Sequence, residues 1–162
     1  MENITERIKT FEDACRELDK RAESNEGIAL LLADYESNEC NIKTKDTLAY
    51  MKLRIIAAAL NEGLELKFSE GECSWFPWFI FLTEKELDDK SEEWKAKHNI
   101  CLFCGASSNG EYCCIAYASS QCVWSRSRAN VSANLSVKSK YLAEYFGQQF
   151  IEIWADYLIC KS

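Results

Sequence analysis

The sequence predicts an α+β fold, with helices at the N-terminus, an antiparallel sheet of about five strands in the middle, and a long helix at the C-terminus. Three observations predict it. Apolar residues recur at steps of three and four in the first sixty or so positions and again at the end. The intervening stretch carries alternating or continuously apolar runs bounded by turn residues. Helical and strand patterns are segregated, which disfavours a repeating βαβ architecture. A length of 162 residues suits one core, and no Pro-, Gly- or Ser-rich linker interrupts it, so residues 1–162 are expected to form a single domain.

The first helix is expected from Asn3, whose side chain can cap free backbone donors while Glu6 answers three residues on. Ile4, Ile8, Phe11, Cys15 and Leu18 then form one apolar stripe. The charged stretch 19–26 reads as a connection. A shorter helix follows, carrying Ile28, Leu31, Leu32 and Tyr35, and ends within 38–43. A third helix is capped by Asp46, striped by Leu48, Met51, Ile55 and Ala58 or Ala59, and stopped by Gly63.

Leu64 to Phe68 alternates apolar and charged residues and predicts a half-buried strand. Trp75 to Leu82 is too continuously apolar for a wet face. Pro77 cannot donate to a ladder, so this strand is expected at an edge or at a bulge. Thr83 with Glu86 forms a capping box for a short helix, and Ser91 opens another turn before His98. Asn99 to Gly105 and Tyr112 to Ser119 predict two strands around a turn at Ser107-Ser108-Asn109-Gly110, where Asn-Gly favours a tight hairpin. A further strand is expected from Val131 to Val137. The last helix starts after Ser139 and buries Leu142, Phe146, Phe150, Ile153, Tyr157 and Leu158.

Composition narrows the function classes. Apolar residues make up 48% of the chain and there is one proline, which excludes disordered and low-complexity classes. The formal charge is −7, so nucleic-acid phosphates are repelled and nucleic acid is not an expected partner. No run of about 18 apolar residues predicts a membrane span. The opening Met1-Glu2-Asn3-Ile4-Thr5-Glu6 lacks the basic and apolar regions of a signal peptide, so a cytoplasmic site of synthesis is expected. Asn-x-Ser/Thr matches at Asn3, Asn130 and Asn134 carry no weight there. Nine cysteines, an odd and scattered set, read mostly as reduced, buried small hydrophobes.

Five features are candidates for chemistry or binding. Cys101-Leu102-Phe103-Cys104-Gly105 with Cys113-Cys114 has the residue types for a zinc site. Against it, Cys113 and Cys114 in a regular strand point to opposite faces, and the spacing departs from the usual paired knuckles. Buried thiols are the favoured reading, and no cofactor is expected. His98 is the single histidine and Cys101 its nearest nucleophile, but a histidine ending a polar connection reads first as exposed or capping. Asp88-Asp89 and Glu92-Glu93 read as a solvated face, and no Walker, Gly-x-Gly-x-x-Gly or His-Glu-x-x-His motif is present. No catalytic set emerges. Trp75-Phe76-Pro77-Trp78-Phe79 supplies aromatic area for a core strand, with Trp75 and Trp78 as candidate partner contacts. Trp124, Arg126 and Arg128 place an aromatic beside two guanidinium groups in a loop, a second candidate interaction site.

Three stretches carry a family resemblance: Ile4-Thr5-Glu6-Arg7-Ile8-Lys9-Thr10-Phe11-Glu12-Asp13-Ala14-Cys15, then Ala49-Tyr50-Met51-Lys52-Leu53-Arg54-Ile55-Ile56 with Ala59-Leu60-Asn61-Glu62-Gly63, then Leu142 to Asp156. With the Trp75-to-Phe79 segment, the chain resembles a family of small, largely uncharacterised proteins encoded by phages, prophages and chromosomes of gut anaerobic bacteria. That family carries small residues and glycine where this chain has Cys101, Cys104, Cys113 and Cys114, a departure that counts against zinc. The resemblance implies a non-enzymatic phage or prophage protein that binds a protein partner or self-assembles, as a virion component or in assembly. The alternatives are a cytosolic regulator that binds a host protein and a thiol-based zinc protein.

Overall fold

The computed structural model describes residues 3–64, 73–102, 112–123 and 133–159. The class is α+β. A helical N-terminal part comprises α1 (Ile4–Arg7), α2 (Phe11–Ala22), α3 (Glu26–Asn38) and α4 (Lys45–Leu60). Then come β1 (Ser74–Thr83), α5 (Glu84–Asp88), α6 (Glu92–His98), β2 (Ile100–Leu102) and β3 (Tyr112–Val123). A 3-10 turn (Ala133–Leu135), α7 (Lys140–Gln149) and α8 (Ile151–Leu158) complete the order.

The caps expected at Asn3, Thr83, Ser91 and Ser139 form. Asn3 accepts from Thr5 N–H while Glu6 answers the Asn3 N–H, and Thr83 pairs with Glu86 in the same way. Ser91 and Ser139 accept from the backbone N–H of Trp94 and Leu142. The first helix, however, is two. Thr10 and Asp13 make a second capping box, which starts α2 afresh after Ile8 leaves helical geometry with ψ near 92°. The break turns the expected stripe, so α2 buries Ala14, Glu17 and Leu18 while Phe11 and Cys15 are half-buried. Helix α4 buries Ala49, Leu53, Ile55, Ile56, Ala57, Ala59 and Leu60 rather than one stripe, because α2, α3, α7, α8 and the 3-10 turn surround it. Thr44, not Asp46, is its N-cap.

Gly63 stops α4 as expected. Its N–H donates to the Ala58 carbonyl at φ +73°, and an added Cβ would lie 2.5 Å from Ile28 Cδ1. Asn61, buried at the same terminus, donates through its side-chain amide to the Ser136 carbonyl and accepts from the Lys138 N–H, both at 2.9 Å. It thereby lines up residues 136–138, and Val137 exchanges two backbone bonds with Trp75. The strand expected from Val131 to Val137 is reduced, among the described residues, to the 3-10 turn and this single bridge.

The described strands form one three-stranded antiparallel sheet, β1-β3-β2, instead of about five strands. Residues 65–68 of the Leu64–Phe68 segment lie outside the described residues, as does the turn at 107–110. The expected long C-terminal helix is divided at Phe150, whose ψ near 28° interrupts the helical path. The Ile153 and Trp154 N–H groups fold back onto the Phe150 carbonyl to start α8. Phe146, Phe150 and Ile151 are buried on opposite sides of that break, whereas Leu158 is partly exposed, so a single straight face does not serve both halves.

Helices α7 and α8 cover one face of the sheet. Gly147 sits at the crossing, where an added Cβ would come within 2.6 Å of Pro77 Cβ and 2.7 Å of the Tyr117 ring. The other face carries a small cluster of Leu82, Cys114 and Ala116, roofed by Leu87 of α5 and Trp94 of α6.

Candidate functional site

Among the described strands β1 lies at an edge of the sheet, and its pairing with β3 has a register irregularity. Pairs run from Ser74↔Val123 to Trp78↔Ser119 and resume at Phe79↔Tyr117, leaving Ala118 as an extra residue on β3. Because the Trp75 backbone bonds go to Val137, its polar groups point away from β3, and two residues on Pro77 points its donor-less nitrogen the same way. Proline thus stands where the ladder asks nothing of its nitrogen.

The two tryptophans singled out in this strand have different fates. Trp75 packs half-buried against the main core. Trp78 projects to the opposite face and is 43% exposed, beside exposed Ser119 and Gln121 on β3. Phe76 on that face is buried. At the far end of the sheet, Phe81 and Tyr112 are 36% and 38% exposed with ring centroids 5.8 Å apart. Sequence reasoning missed this pair, since its partners lie on different strands. Trp124, Arg126 and Arg128 lie outside the described residues.

The thiols weighed as a zinc set and read as buried divide between the faces. Cys101 packs with the main core, while Cys113 and Cys114 both adjoin the Leu82 cluster. The expectation that Cys113 and Cys114 oppose each other is overturned by a second register shift at Leu82/Thr83, which suspends strand alternation there. Burial, with the neighbouring Cys113 thiol, pushes Cys114 up to about 12 and keeps it protonated near neutrality, the state least suited to metal or nucleophilic chemistry. Among the described residues, no group of three or more His, Cys, Asp or Glu side chains is arranged to hold a metal; Cys104 lies outside them. His98 stacks on Trp94 at 4.1 Å between ring centroids, and its Nδ1 lies 2.8 Å from the Trp94 carbonyl, a contact that only a protonated Nδ1 can use. It closes α6.

A pocket of about 650 Å³ opens between the α1 and α7 starts and the α2 and α4 ends, lined by Arg7, Arg21, Glu62, Lys138 and Tyr141 among others. Its cations are held by carboxylates, Lys138 by Glu62 of the lining and both arginines by Glu17 behind it. Glu17, only 4% exposed, takes Arg7, Lys20 and Arg21, and Glu62 takes Lys138. Burial opposes ionisation of Glu17, but the Lys20 hydrogen bond and the Arg7 and Lys20 charges outweigh it and hold its carboxyl below the ordinary value. The Lys138 hydrogen bond and charge lower Glu62, with Arg21 and Arg7 contributing. Tyr141, on the lining, has its hydroxyl 3.0 Å from that of Thr5. These ion pairs, four cations on two carboxylates, tie α1, α2, the α4 terminus and residue 138 together, which gives them a structural use. No family model, curated protein or solved structure matches the chain.

Proposed function

We propose that this protein acts by binding rather than catalysis, as a phage- or prophage-associated structural or assembly protein whose contact surface includes the Trp78 face of the sheet. Trp78 carries the reading. A large aromatic is held 43% exposed on a braced strand, next to exposed polar residues of β3, and offers contact area at little further entropic cost. The phage and prophage association comes from the sequence resemblance. The charge of −7 supports a protein partner or a second copy of the chain over nucleic acid. Trp124, Arg126 and Arg128 belong to the same reading as a second contact. Synthesis in the cytoplasm followed by incorporation into a particle is the life history it implies.

The test is quantitative mass spectrometry of purified phage particles from the source. A fixed ratio of this chain to the major capsid protein is expected. Absence from particles, despite abundance in infected cells, would replace the virion role with that of a cytosolic regulator that binds a host protein.

A further inference from the structure

Cys73 immediately precedes β1, and Cys122 lies one residue from the end of β3, opposite Trp75. Forty-nine positions apart in sequence, their sulfurs stand 2.8 Å apart with the Cys122 thiol donating to Cys73. Cys73 is exposed and Cys122 half-exposed. Sheet pairing through Ser74↔Val123 and Trp75↔Cys122 holds both backbones in place, so a bond length of about 2.05 Å is reached by moving the sulfurs less than about 1 Å. The other described thiols differ. Cys113 and Cys114 also meet through a side-chain hydrogen bond, but they are chain neighbours and Cys114 is buried. Half-buried Cys101 directs its thiol to the Leu102 carbonyl, Cys15 is half-buried with its thiol pushed up to about 11 by burial, and exposed Cys40 has no thiol hydrogen-bond partner among the described residues.

We propose that Cys73 and Cys122 form a thiol–disulfide exchange site whose substrate is a low-molecular-weight disulfide of the glutathione type and whose product is a staple joining β1 to β3. Exposure sets the order of events. Cys73, the more exposed of the two, is the sulfur a small disulfide reaches first, and half-exposed Cys122, already in contact with it, is the resolving thiol. The Cys73 thiolate attacks one sulfur of the small disulfide, expelling one thiolate and forming a mixed disulfide. The Cys122 thiolate, after losing its proton to solvent, then attacks Cys73 sulfur and expels the second small thiolate. Two protein thiols and one small disulfide become one protein disulfide and two small thiols, so atoms and electrons balance. The staple fixes the start of the strand that carries Trp78.

The experiment treats the reduced, folded full chain with oxidised glutathione and maps linkages by peptide mass spectrometry. The expected result is an intramolecular Cys73–Cys122 peptide formed before any other cysteine pair, with a melting temperature raised by about 5–15 °C. Cys122→Ser should accumulate glutathione on Cys73 as a stable adduct, and Cys73→Ser should abolish the early crosslink. Wild-type Cys40 serves as the internal comparator, retaining glutathione because no described thiol stands beside it to resolve it. A first crosslink between other cysteines, a link between two chains, or a Cys73 that keeps glutathione in the wild type would overturn the proposal. The wild-type map decides the matter even if a serine variant folds poorly.

Discussion

The two faces of the sheet are built on different scales. On one, Trp75, Phe79 and Ile115 join a continuous core of two dozen buried residues shared by α2, α3, α4, α7 and α8. On the other, the described cluster has three buried residues under two short helices. Among the described residues the larger core lies on the first side, while on the second Phe76, Leu82, Cys114 and Ala116 are buried and Trp78 is 43% exposed. If that division holds, substitutions should rank by face.

Phe146→Ala empties the centre of the thick side, where its ring meets Phe150 and Trp154 at 6.2 and 5.0 Å, and should cost about 3–5 kcal/mol by denaturant unfolding. Asn61→Ala removes the amide that satisfies the Ser136 carbonyl and Lys138 N–H, and should cost about 2–3 kcal/mol and loosen the Val137 bridge, read as faster amide exchange at Val137 and Trp75. Glu17→Gln should cost about 1–2 kcal/mol at pH 7 by stranding Arg7 and Arg21. The Glu17 carboxyl is held below its ordinary value of 4.5 when folded, so its contribution is present above that pH and is lost as pH falls through the lower folded value. Acid titration of stability should therefore be shallower in the Gln variant. Trp94→Ala, on the thin side and already half-exposed, should cost only about 1 kcal/mol in the same unfolding assay.

What was legible in the sequence follows the same division between local and distant causes. Caps at Asn3, Thr83, Ser91 and Ser139, the Gly63 stop and the proline-marked edge strand depend on neighbours within a few residues, and they formed where expected. The α1–α2 break was also written locally, in Thr10 and Asp13, but the apolar stripe running through it hid the signal. The α8 break at Phe150, the burial of α4 on several sides and the 3-10 turn in the described part, 133–137, of the expected Val131–Val137 strand are set by packing that no single segment encodes. Of the candidate sites, Trp78 was visible as an aromatic on an edge strand. The cysteine pair at 73 and 122 was not, because its proximity depends on β1–β3 register.

The central claim, that the thin face with Trp78 is a contact surface rather than part of the stabilising core, is tested most directly by Trp78→Ser. Unfolding stability and incorporation into particles are measured side by side, with the variant and the unaltered chain competing in the same infected cells. The account predicts stability within about 0.5 kcal/mol of the parent together with at least about a tenfold loss of incorporation. Equal incorporation of the two chains, or a stability loss as large as that of Phe146→Ala, would contradict it.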